Sequence, residues 1–386
     1  MLSGENIVCF SKDWNEDPTS NNHVLSLLAK SNRVLWINSI STRTPQFSSG
    51  RDLKKIVRKL KSFVNGAKQV ENNLWVYTPI VLPFPHSRLA TVINHEILRT
   101  TISLLRRKLS MDEFQLWSFI PTASPYVGKL GESVSVYYCT DEWSQFSQTD
   151  TKRIVEMEEE LCRKVDVVFT TANSLKEKKG RLNPETHLAS HGVDYAHFAK
   201  ALDEDTPLAP ELIDFPRPII GFFGLIHSWF DQDLIAFIAD KHPEWTIVLI
   251  GKADVDTRQL EKFQNVHLLG RKSYDLLPSY CKGLNVGIIP FVVNELTHHV
   301  NPIKLREYLS AGLPVVSTSL PEVRHYSNVC TVADDYNAFL IGLEKAVKDD
   351  SKSAREKRSQ SMKKETWEAK VDALGDVVRR IKKKVV

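Results

Sequence analysis

The segment Asn301-Pro302-Ile303-Lys304-Leu305-Arg306-Glu307 holds the residue types and spacing most suited to chemistry. Asn301 is a good N-cap, Pro302 suits a first helical position, and Gly312 followed by Pro314 stops the helix. The pattern predicts a helix of about ten residues between two strands. Its first turn offers unpaired N–H groups and the positive end of the dipole, and Lys304 sits in that turn, so an anion is favoured there. Glu307 shares the face of Lys304, three residues on. A cation beside a carboxylate at a helix start can hold a diphosphate and, next to it, a ribose diol. The plainer alternative is an exposed ion pair on a well-capped helix, worth a few tenths of a kcal/mol.

A second candidate is Asp141, in Tyr137-Tyr138-Cys139-Thr140-Asp141-Glu142-Trp143. It falls just past the end of an apolar, strand-like run, where open parallel sheets keep their sites. A carboxylate there could take the proton of an attacking hydroxyl, provided its pKa is raised and it lies within hydrogen-bond reach; otherwise it caps the next element. Asp13, Trp14 and His23 are more simply a turn and a helix face. Asp254-Val255-Asp256 is an acid-x-acid string of the kind that binds divalent ions, but such strings arise by chance in a chain this acidic. The histidines and cysteines show no zinc spacing. No metal and no resident cofactor are expected. Five scattered cysteines without a C-x-x-C pair indicate reduced thiols packed as small hydrophobes.

Positioning these groups requires a sheet. Apolar, β-branched runs at 6–10, 34–38, 74–80, 115–120, 134–140, 165–171 and 187–190 alternate with helical patterns such as 22–30 and 153–163. The alternation resumes at 219–224, 246–251, 266–270, 286–291, 313–318 and 329–332. Between them, 201–218 is acidic and rich in proline, a composition suited to an exposed linker. The expected architecture is α/β, two Rossmann-like, doubly wound domains facing across a cleft: 1–200, a linker 201–218, a second domain 219–364, and a C-terminal helix 365–386.

The string Pro302-Ile303-Lys304-Leu305-Arg306-Glu307-Tyr308-Leu309-Ser310-Ala311-Gly312-Leu313-Pro314-Val315-Val316-Ser317-Thr318 resembles the nucleotide-sugar-binding segment of GT-B glycosyltransferases, above all the family-four or group 1 type of bacterial polysaccharide assembly. Ile220-Gly221-Phe222-Phe223-Gly224 looks like that family's glycine-bearing loop. Asn265 to Gly270 looks like its N-V-x-x-x-G strand, and Ser190 to Phe198 resembles its G-V-D hinge string. The resemblance implies a GT-B fold whose last helix crosses back to the first domain. It gives Lys304 the donor diphosphate and Glu307 the ribose, brings backbone at Gly224 near the phosphates, and places Arg271 beside the base and Asn301 at the same site. It also favours Asp141 over Glu142 as the catalytic group. His227, three residues after Gly224, could bond a phosphate oxygen or simply face solvent. One departure stands out: many retaining members carry a second glutamate eight residues before the position of Glu307, where this chain has His299. In relatives a helix dipole and basic residues, rather than a metal, stabilise the leaving diphosphate.

The activity so implied is transfer of a hexose from a UDP- or GDP-sugar to a saccharide or lipid-linked saccharide in cell-surface glycan synthesis. A nucleotide-sugar 2-epimerase of the same fold, or a non-catalytic scaffold in a synthesis complex, is the alternative. Across 386 residues the net charge is only +4, yet residues 51–108 hold twelve Lys and Arg against three acids, and 351–386 hold twelve against five. Within 51–68 the apolar residues fall at helical spacing among lysines, as in a basic amphipathic helix that packs on its domain or meets an anionic membrane. No nucleic-acid-binding module accompanies the charge. Without a signal peptide or an apolar run long enough to span a bilayer, the chain is expected in the cytoplasm, with peripheral contact at the inner face of the plasma membrane.

Overall fold

The computed structural model describes residues 2–16, 18–39, 66–82, 88–145 and 151–385. The chain forms two compact units, Met1–Ser190 with Lys370–Val386, and His191–Ala369. The basic helix expected over 51–68 lies outside the described residues, save for its last three.

In the first unit the strands are β1 (Asn6–Phe10), β2 (Arg33–Ile37), β3 (Lys68–Glu71), β4 (Leu74–Tyr77), β5 (Gln115–Ser118), β6 (Val134–Cys139), β7 (Val167–Thr170) and β8 (Thr186–Leu188). They form one sheet in the order β3-β4-β2-β1-β5-β6-β7-β8. All pairs are parallel except β3 with β4. The central strands β5, β6 and β7 are buried throughout, as a parallel sheet covered on both faces requires. The polar strand β3 has no counterpart among the expected strands. It is a mostly exposed edge, joined to β4 through Asn73 in the left-handed region (φ 58°), which Asn tolerates. Polar edge strands lack the apolar signal by which strands are read.

The second unit carries β9 (Ile219–Phe223), β10 (Thr246–Ile250), β11 (Val266–Gly270), β12 (Val286–Ile289), β13 (Val315–Thr318) and β14 (Thr331–Ala333). These run parallel in the order β11-β10-β9-β12-β13-β14. Strand order reverses between β9 and β12, and a crevice for ligands opens at the carboxyl ends of strands at such a point. Each half is thus Rossmann-like, and the α/β class expected from the sequence is the observed one.

The domain boundaries differ from the expected ones. The units divide after Ser190 rather than at 200, and 201–218 is part of the second unit rather than an exposed linker. Its prolines and acids read as solvated, but short 3-10 turns at Lys200–Leu202 and Pro210–Leu212 turn Ala201, Ala209 and Leu212 into the core. Glu211 also accepts from Lys272 (2.7 Å) and from the hydroxyl of Tyr280 (2.9 Å). Segments near the two ends of the second unit pair: Val193 N–H donates to Glu365 O at 2.9 Å. Gly192 there admits no side chain, since a Cβ would stand 2.5 Å from Trp367 Cα. The last helix, Trp367–Val385, contributes to the first unit from Lys370 onward. Its basic residues are partnered there, Lys382 with Glu5 and Glu113, and Arg380 and Lys384 with Glu185.

Leu212→Ala should cost about 2–4 kcal/mol in chemical denaturation, the range for a truncated core leucine. A cost below about 0.5 kcal/mol would mark 201–218 as a solvated connection after all.

Candidate functional site

Three neighbouring strands of the second sheet end in glycines with positive φ: Gly224 (149°), Gly251 (149°) and Gly270 (66°). Gly224 N–H donates to Ile250 O (2.8 Å) and Gly251 N–H to Gly270 O (2.9 Å), which ties the strand ends into a row. The row is close-packed. A Cβ on Gly251 would stand 1.8 Å from Gly224 O, so both the backbone angle and the space demand glycine there. The result is a bare backbone ledge beside the β9/β12 switch point.

Over that ledge comes helix Ile303–Ser310, where Lys304 and Glu307 project together. Lys304 Nζ lies 3.1 Å from Glu307 Oε2 and 5.1 Å from the centre of the Phe223 ring. Its Cε is 3.1 Å from where a Gly224 Cβ would be, so glycine leaves room for the lysine stem. The Glu307 side chain is only 6 % exposed while that of Lys304 is 23 % exposed. A surface pair would contribute about 0–1 kcal/mol; here a buried carboxylate is neutralised by an ammonium that still reaches solvent and can serve an incoming anion. Tyr308, next in sequence, is fully buried, and its hydroxyl accepts from Phe223 N–H at 2.9 Å, fixing the helix to the end of β9.

Gly224, Lys304 and Glu307 are therefore brought together, but Asn301 plays a different part from the one expected. The residue at the helix N-cap is Pro302, and no side chain caps the helix. Asn301 is buried, accepting from Arg306 Nη1 (2.8 Å) and donating to Glu322 (3.3 Å). Arg306, itself 1 % exposed, also donates to the Tyr326 hydroxyl at 2.7 Å. A buried guanidinium must be satisfied, and that need claims the asparagine. His227 lies in the loop after Gly224, stacked on Trp229 at 4.3 Å and bonded to Ser228 Oγ at 3.0 Å. Arg271 is exposed, directly after Gly270. His299 lies 3.4 Å from Glu295. Gly251 and Tyr274 were not singled out in the sequence. Tyr274 stacks on His197 at 4.6 Å, and burial, with Glu307 nearby, pushes its hydroxyl pKa up. Gly251 was legible as a glycine ending an apolar run; nothing in the sequence marks Tyr274.

In the first unit, the loop after β6 separates two adjacent carboxyls. Burial raises the pKa of Asp141, against a hydrogen bond from Thr140 Oγ1 (2.8 Å). Burial also acts on Glu142, but the Ser144 hydroxyl (2.6 Å) and Lys178 ammonium (2.9 Å) outweigh it and hold Glu142 down at about 2. Environments that drive neighbouring carboxyls apart separate a group able to take a proton from a fixed anion; here Asp141 has the raised pKa and Glu142 the lowered one.

Asp254 is paired with Lys252, and Asp256 with Arg258, so the acid-x-acid string is spent on neighbours. Among the described residues no group of three or more His, Cys, Asp or Glu could hold a metal ion, and no helix is long and apolar enough to cross a membrane.

This architecture recurs in solved structures. Sucrose-phosphate synthase from Thermosynechococcus elongatus superposes with a TM-score of 0.71 at 13 % identity, covering 98 % of this chain and 99 % of that one. An α,α-trehalose 6-phosphate synthase from Burkholderia multivorans gives 0.68 at 13 %, with 100 % of both chains covered. Anabaena Alr3699/HepE, in complex with UDP and glucose, gives 0.64 at 12 %, covering 97 % of this chain and 99 % of that one. The fold is GT-B. Residues 217–349 match the family described as Glycosyl transferases group 1. A curated relative, the putative teichuronic acid biosynthesis glycosyltransferase TuaH of Bacillus subtilis (strain 168), is 28 % identical over 202 residues. That match takes in 48 % of this chain and 50 % of the relative, so it spans about half of each. The family match lies wholly within the second unit of this GT-B chain.

Gly251→Ala should prevent the second unit from folding or cost it several kcal/mol, roughly the sum of a clash and a strained φ. Gly180→Ala, where a Cβ meets nothing within 4 Å, should stay within about 1 kcal/mol of wild type in the same thermal melts. Equal stability of the two variants would contradict the packed glycine row.

Proposed function

We propose that this protein transfers a hexose from a nucleoside-diphosphate sugar, with UDP or GDP as the leaving group, to a saccharide or lipid-linked saccharide in cell-surface polysaccharide synthesis. The observation that carries the reading is the Lys304–Glu307 pair at the start of helix Ile303–Ser310, over the glycine ledge at the switch point. Lys304 and the helix N-terminus balance the charge that develops on the diphosphate, with no metal needed. Glu307 accepts from the ribose hydroxyls, backbone at Gly224 approaches the phosphates, and His227 and Arg271 border the same ledge. The acceptor oxygen attacks the anomeric carbon, the bond from that carbon to the diphosphate oxygen breaks with its electron pair, and Asp141, on the first unit, takes the hydroxyl proton. Support comes from the family match of residues 217–349, from a relative named for teichuronic acid biosynthesis, and from a structural neighbour holding UDP and glucose. Action at the inner face of the plasma membrane, through basic residues in 51–68, belongs to this proposal.

The test incubates purified protein with UDP- and GDP-hexoses, with and without saccharide acceptors, and follows both the free nucleoside diphosphate and the sugar. Release of nucleoside diphosphate that depends on acceptor, reduced about 10²–10⁴-fold in Asp141→Asn, is the expected result. Sugar conversion without acceptor would mean an epimerase, and an unchanged rate in Asp141→Asn would remove Asp141 from the chemistry.

A further inference from the structure

A buried charged cluster beneath the Asp141 loop has no part in the proposal so far. Glu158, on helix Thr151–Lys164, is 2 % exposed. Its Oε1 accepts from the Tyr137 hydroxyl at 2.7 Å and from Cys139 Sγ at 3.3 Å, both on β6. Its Oε2 lies 2.6 Å from Nζ of Lys179, which is equally buried on helix Asn173–Gly180. Cys139 Sγ also lies 3.4 Å from the carbonyl oxygen of Asp141. The cluster therefore reaches, through one thiol, the backbone of the residue assigned as proton acceptor.

The charged groups around it are few. Cys162 stands one turn on from Glu158 on the same helix, and Glu142, held by Lys178, adds its field to Lys179. Burial pushes the Cys139 thiol and the Tyr137 hydroxyl well up and Cys162 up to about 12, so these groups keep their protons and remain donors. Burying Glu158 with Lys179 adds little net stability, because desolvation of both ions cancels most of their attraction. What the pair supplies is direction. With Lys179 on one oxygen, the other is presented to β6, where Tyr137 and Cys139 point to the same side by strand alternation.

We infer that Glu158, anchored by Lys179, is a positioning residue that sets the end of β6 and thereby the orientation of Asp141, acting through the thiol of Cys139. The inference rests on the assignment of Asp141 as proton acceptor. It involves no covalent step: Cys139 stays a thiol shared between the Glu158 carboxylate and the Asp141 carbonyl.

Cys139→Ala removes the link without leaving a charge unpaired, and Cys139→Ser restores a donor. The double variant Glu158→Gln/Lys179→Met removes the anchor with charge kept balanced. Each is assayed for kcat, for KM of the nucleotide sugar and for the acid limb of the kcat–pH profile. Cys139→Ala should lower kcat about ten- to a hundredfold, as expected for a misplaced reacting group, with donor KM unchanged and the acid limb displaced. Cys139→Ser should recover most of the loss, and the double variant, where it folds, should behave like Cys139→Ala. Wild-type kcat and acid limb in Cys139→Ala, with only the melting temperature lowered, would overturn the positioning role. Asp141→Asn run alongside separates the failures: at full rate it overturns the Asp141 assignment and this inference together. A slow Asp141→Asn beside a full-rate Cys139→Ala overturns the positioning role alone.

Discussion

The second unit's site depends on the close approach of backbone to backbone at Gly224 and Gly251. With no Cβ at either position, two strand ends meet, the main chain lies bare beside the switch point, and the stem of Lys304 passes over it. A side chain at Gly224 would crowd the lysine stem, and one at Gly251 would strike the Gly224 carbonyl. The glycine row, the Tyr308 hydroxyl on the end of β9 and the Lys304–Glu307 pair form one arrangement: the ledge gives access, the tyrosine fixes the helix, and the pair supplies charge. Because Glu307 is buried and Lys304 is not, the pair stays neutral at rest and still offers a cation to solvent.

The first unit solves a different problem, placing two consecutive carboxyls in different environments. Glu142 is held as an anion by Ser144 and Lys178, while burial disfavours charge on Asp141. Beneath them, Glu158 and Lys179 spend a buried ion pair on a strand end whose register also carries Asp141.

Much of this was legible in the sequence, and the exceptions have physical reasons. Buried parallel strands announce themselves as apolar runs, which is why thirteen of the fourteen strands follow from pattern alone, with β3 escaping because a polar edge strand has no such run; the family resemblance, not the pattern, points to Gly224. Spacing put Lys304 and Glu307 on one helical face. Asn301 reads as an N-cap because that preference is local, whereas the demand of buried Arg306 for an acceptor is set by tertiary packing. Residues 201–218 read as a linker for a related reason: composition reports proline and acid, but not that Leu212 packs against Gly283. The partners of Tyr274 and the Glu158 cluster come from separate segments of chain, so no sequence window contains them.

The central claim is that Lys304, at the helix start over the glycine ledge, holds a nucleotide diphosphate. Calorimetric titration of the protein and of Lys304→Ala with UDP, GDP and the corresponding nucleosides tests it most directly. The account predicts that one diphosphate binds the wild-type protein at least about tenfold more tightly than its nucleoside, a difference of about 1.4 kcal/mol, and that Lys304→Ala abolishes the difference without unfolding. Diphosphate and nucleoside binding alike to wild type, or a diphosphate preference that survives in Lys304→Ala, would contradict it.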